Sequence, residues 1–156
     1  MAITVYPPRD FALDGQRCRV HVYDVVTGSD RVVFETDAVL LEAPNWAPEG
    51  LLLNGAGKLW SLDADAGGAD IAEVPFTGIP PINNDHVLVP KSGDILLSAN
   101  DGQIYRAPRT GGEGTRITDP ADPFMHFLHG VSPDGAWIAY TALSIEDGQV
   151  LSADST

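Results

Sequence analysis

Cysteine is almost absent from this sequence. The single residue, Cys18, leaves no internal disulfide possible, which suits a reducing compartment. Basic residues are scarce as well: 9 Lys and Arg stand against 22 Asp and Glu, for a net charge of −13. A surface of that sign repels phosphate backbones and anionic bilayers, so neither nucleic acid nor membrane is expected as a partner. No apolar run approaches the ~20 residues of a membrane-spanning helix. The N-terminus lacks a basic start followed by an apolar stretch, so no secretory signal is read there. The expected location is cytoplasmic, or periplasmic had a signal been removed. Helical periodicity is missing from every window of a dozen residues. Also missing are a Gly-rich phosphate loop, a Gly-x-Ser-x-Gly elbow and clustered cysteines. The acidic loop with Asp63, Asp65 and Asp70 lacks EF-hand spacing. No catalytic group stands out, and whether the chain is an enzyme stays open at this point.

What the sequence does hold is turns and short apolar runs. Hydrophobic residues make up 44% of the chain, enough for a core, and 16 Gly and 12 Pro break it into many pieces. Three Pro-centred turns recur: Trp46-Ala47-Pro48-Glu49-Gly50, Val89-Pro90-Lys91-Ser92-Gly93-Asp94 and Ser132-Pro133-Asp134-Gly135. Their prolines lie 42 and 43 residues apart, the period of a four-stranded propeller blade. Each turn is followed by an apolar strand: Leu51-Leu52-Leu53, Ile95-Leu96-Leu97 and Trp137-Ile138-Ala139-Tyr140. A Gly-containing loop comes next, at Asn54-Gly55-Ala56-Gly57, Asn100-Asp101-Gly102 and Glu146-Asp147-Gly148. Third strands then start at Lys58, Gln103 and Gln149, and fourth strands at Asp70 and Thr115. Pro sets φ for the second turn position and ends the strand before it, while Asp and Gly suit the later positions. Trp46, Trp60 and Trp137 recur with the repeat and read as packing residues.

Ser132-Pro133-Asp134-Gly135 with its following Ala-Trp-Ile-Ala-Tyr resembles the TolB-type (PD40, WD40-like) propeller repeat, whose hallmark is a Ser-Pro-Asp-Gly turn. The Pro48 turn is a looser copy, and the Pro90 turn has Lys-Ser-Gly where Asp-Gly is expected. The resemblance implies an all-β fold of propeller blades, each of four antiparallel strands, with about three blades in this chain. The expected organisation is a lead segment over 1–17, outer strands over 18–36, blades over 37–79 and 80–123, and an incomplete blade over 124–156. Closed propellers carry ~4–8 blades. The missing ones are expected from a longer chain, from self-association or from a second chain.

Function is sought where the innermost strand of each blade meets the channel. Those stretches are Asn83-Asn84-Asp85-His86 and Met125-His126-Phe127-Leu128-His129. His86 and His129 each precede a turn proline by four residues and so hold equivalent places on adjacent blades. Asn45, Asn84, Asp85, His86, His126 and His129 are the candidate ligand-binding residues. The leading expectation is a scaffold that binds a protein or small ligand at its channel face, with no cofactor. The alternative is similarity to oligogalacturonate lyases, which implies a divalent metal such as Mn or Zn on His86 and His129. A histidine before the turn can equally brace the inner strand.

Overall fold

The computed structural model describes residues 9–65, 70–121, 124–146 and 149–155. Residues 1–8 of the lead segment read over 1–17, and Asp147 and Gly148 of the third Gly-containing loop, lie outside them. The described chain is all β. An antiparallel hairpin joins β1 (Cys18–Tyr23) to β2 (Asp30–Thr36). The first full blade is β3 (Glu42–Ala47), β4 (Gly50–Gly55), β5 (Lys58–Leu62) and β6 (Ala72–Val74), hydrogen-bonded in that order. After the short β7 (Phe76–Thr77), the second blade is β8 (Ile82–Leu88), β9 (Asp94–Ala99), β10 (Ile104–Pro108) and β12 (Thr115–Arg116), with β11 (Gly112–Glu113) before its last strand. A three-stranded antiparallel sheet follows: β13 (Met125–Val131), β14 (Ile138–Glu146) and β15 (Gln149–Ser155). The expected blades of antiparallel strands are therefore present.

The second strand of each full blade explains why the blades stack. β4 and β9 are apolar without interruption, and their side chains alternate between two covered faces. Leu51 and Leu53 pack with Cys18, Val20 and Val33 of the hairpin. Leu52 points the other way and packs with Ile95 and Leu97 of β9. Leu96 in turn packs with Leu128 of β13. Each blade thus buries one face against its predecessor and one against its successor, so a strand here needs a continuous apolar run rather than a half-polar one.

The turns follow their chemistry. In the Ser132 turn, the Ser132 carbonyl accepts from Gly135 N–H at 2.8 Å, and Asp134 Oδ1 accepts from Ala136 N–H at 3.0 Å. The deviant Pro90 turn forces Lys91 to a φ of +59°, a conformation that disfavours any residue with a Cβ. Two of the three tryptophans depart from expectation. Trp46 is 61% and Trp137 is 75% exposed, because each sits at a Pro-turn rim, where no neighbouring blade covers it. Trp60 is half-buried and donates from Nε1 to the Gly55 carbonyl. One connection was not legible in the repeat: β7 pairs in parallel with β11, strapping the first full blade to the second at their outer side.

Candidate functional site

The inner strands β3, β8 and β13 run toward the Pro turns, and β4 and β9 run back. Two ends result. One carries the Pro turns, and the other carries the starts of the inner strands with the Gly loops that follow β4 and β9. The sequence directs attention to the stretch approaching the first end. The structure opens a cleft at the second.

The candidate residues disperse. His86 is 4% exposed, faces Leu97 across the ladder and sits in the seam between the two full blades. Its ring nitrogens have no hydrogen-bond partner among the described residues. Burial pulls its pKa down to about 4, opposed only by the Leu52 backbone, which forms no hydrogen bond of normal geometry with it. The ring is therefore neutral near pH 7. Asn45 crosses the same seam and donates from Nδ2 to the His86 carbonyl at 3.1 Å. His126 is fully buried: its Nδ1 lies 3.0 Å from the Gly102 carbonyl, and its ring stands edge-on to Tyr140 at 5.1 Å. These contacts make His126 a brace between β13 and the Gly102 loop. His129 is exposed and sits at a break in the β13–β14 register between Leu128 and Gly130.

Asp85, rather than His86, is the β8 residue that senses His129. Burial raises the Asp85 carboxyl above its ordinary range, while nearby His129 and Arg9 and the contact with Asn83 pull it back. His86 and His129 thus occupy equivalent sequence positions in unlike surroundings, one interior and one in solvent. Among the described residues there is no group of three or more His, Cys, Asp or Glu placed to hold a metal ion. The described residues alone therefore do not assemble the metal centre that the lyase resemblance implies.

The cleft has a volume of about 430 Å³, within the ~300–1,000 Å³ of ordinary small-molecule sites. Its floor holds the amides of Asn54, at the end of β4, and Asn100, just after β9. They are 5% and 8% exposed. Asn54 Oδ1 and Asn100 Nδ2 are both buried without a hydrogen-bond partner. Asn83 and Asn84 from β8 and Phe127 from β13 complete the wall. Arg9 and Glu42 line the cleft too, and pair with each other at 2.8 Å. Of the residues chosen from sequence, only Asn84 lines this cleft.

Backbone strain concentrates around it. Ala56, in the loop after β4, has a φ of +52°, and Ala43, beside Glu42, has +48°. Gly55 is confined as well, since a Cβ there would come within 2.7 Å of the Leu40 carbonyl. Sequence reasoning had read Asn54 and Asn100 as ordinary turn formers. The available signal was their recurrence at the same point of two successive repeats, followed each time by a Gly loop.

Comparison with known proteins supports the architecture. The chain is 33% identical over 145 residues to an uncharacterized protein of Agrobacterium fabrum, an alignment covering 88% of this chain. A solved structure from Agrobacterium tumefaciens, provisionally named TolB, superposes with a TM-score of 0.69 at 30% identity over 88% of this chain. The chain spans about half the length of both, 47% of the first and 49% of the second. No family model matches it. The chain thus has a TolB-like fold of propeller blades.

Proposed function

We propose that this chain is a binding scaffold, a set of TolB-like propeller blades that holds a ligand in the cleft between its two full blades. One observation carries the reading: two amides from successive blades, each more than nine-tenths buried, line one cleft, and each has a buried hydrogen-bonding atom unpaired. An unpaired buried polar group costs about 1–3 kcal/mol, and native structures retain few of them without a use. A bound ligand supplies the missing partners. Saturation-transfer NMR of the chain with a fragment library tests this. Ligands that signal with the wild type are expected to lose their signal with the Asn54→Leu/Asn100→Leu double variant. Unchanged signals would refute the site.

The metal-dependent lyase alternative is not favoured. It asks His86 and His129 to share an ion, whereas His86 is interior and His129 stands in solvent. For the ring as a whole, we propose that further blades, from a longer form of this chain, a second copy or another chain, pack against the outlying sheets. The β1–β2 hairpin supports this: it is a two-stranded sheet, and Tyr23, Val25, Val26 and Val32 are exposed on or beside it.

A further inference from the structure

We infer that the ligand of the amide cleft is an uncharged, hydroxyl-rich molecule, a neutral carbohydrate. The inference rests on the binding role proposed for that cleft and adds the chemistry of the occupant.

Charge comes first. The two ionic groups lining the cleft, Arg9 and Glu42, neutralise one another at 2.8 Å. An anionic ligand would find its natural partner, Arg9, already engaged, inside a chain of net charge −13. A cationic ligand would have to displace Arg9 from Glu42. A neutral ligand disturbs neither.

Hydrogen bonding narrows the class. Asn54 leaves an acceptor unpaired and Asn100 a donor. The pair therefore asks a ligand for a donor toward Asn54 and an acceptor toward Asn100, two functions that every hydroxyl combines. Asn83 has its Oδ1 engaged by the Asp85 N–H at 2.7 Å, and its NH2 group adds further donors. A single peptide group brings one N–H and one C=O. Adjacent hydroxyls each donate once and accept twice, and so satisfy both ends of several amides at once. Phe127 offers an apolar surface in the same cleft, suited to the C–H face of a sugar ring.

Isothermal titration with cellobiose, maltose and N,N′-diacetylchitobiose tests the inference. Digalacturonate and the chitosan dimer serve as charged counterparts, and N-acetylglycine N-methylamide as a neutral amide without hydroxyls. At least one neutral disaccharide is expected to bind, and Asn54→Leu and Asn100→Leu are each expected to weaken it roughly tenfold. Circular-dichroism melting of both variants, with no loss of melting temperature, separates lost binding from lost folding. Tighter binding of a charged disaccharide, or neutral binding that survives both substitutions, would overturn the inference. If only the amide probe binds, the carbohydrate class falls and the cleft stands. If no probe binds, both fall.

Discussion

At the residue scale, Asn54 and Asn100 invert the usual expectation for a buried polar group. Removing a satisfied buried amide destabilises a protein, but removing an unsatisfied one relieves a desolvation cost. Asn54→Leu and Asn100→Leu are therefore expected to hold or raise the unfolding midpoint in urea. A drop beyond about 1 kcal/mol in either variant would show that the amides brace the fold instead. Ala56 makes a parallel case. Its φ of +52° costs roughly 1–2 kcal/mol in an L-residue, so Ala56→Gly should stabilise the chain in the same assay.

His86 supplies a pH dependence. Its folded pKa of about 4 lies below the ~6.5 of an unfolded chain. Between those values the unfolded state binds the proton more strongly, so stability falls as pH drops through 6.5 toward 4 and this group adds no further loss below that. The full span is about 3 kcal/mol. Asp85, raised by burial, works in the opposite sense over the acid range, so the comparison must be between the wild type and His86→Leu. The variant is expected to lose less stability than the wild type from pH 7 to pH 4.5 in urea melts. The identity of these histidines was legible in the sequence, but their surroundings were not. Spacing fixes a residue's place along a strand, while burial depends on which neighbouring blade covers it.

At the element scale, the blades were the most legible feature. The Pro turns, the apolar second strands and the Gly loops each have a local cause, and they agree in period. β4 and β9 could be read because a strand covered on both faces carries no polar alternation to blur it. The parallel β7–β11 strap could not be read, because each partner contributes two residues and the pairing depends on how the blades stack. The Trp46 and Trp137 positions misled for a related reason: recurrence in a repeat marks equivalent places, and a rim place recurs as faithfully as a core one. Glycine offers a direct test of the turn geometry. Gly50 has a φ of +132°, and a Cβ there would lie 2.4 Å from the Leu62 carbonyl. Gly50→Ala is expected to cost more than about 1 kcal/mol. Gly130→Ala, where a Cβ meets nothing within 4 Å, serves as the control and should cost far less. Equal losses would contradict the described turn.

At the scale of the whole molecule, two full blades are flanked by a two-stranded and a three-stranded sheet, and the matched relatives are about twice as long. If second copies supply the missing blades, the net charge of −13 opposes their approach, and added salt relieves that repulsion. Light scattering of the purified chain is then expected to give a mass above one chain that rises with ionic strength. A single-chain mass at every salt concentration would leave a longer form of this chain, or a different chain, as the source of the blades. The account as a whole turns on where a ligand docks: in the amide cleft at the Gly-loop end, or around the histidines near the Pro-turn end. One chemical-shift map decides between them, recording side-chain amide and imidazole resonances together during titration with the neutral disaccharides. The account predicts that the Asn54, Asn83 and Asn100 amide signals move saturably while the His86 and His129 ring signals stay in place. Movement of the His129 ring signals with the Asn54 and Asn100 amides unmoved would contradict it.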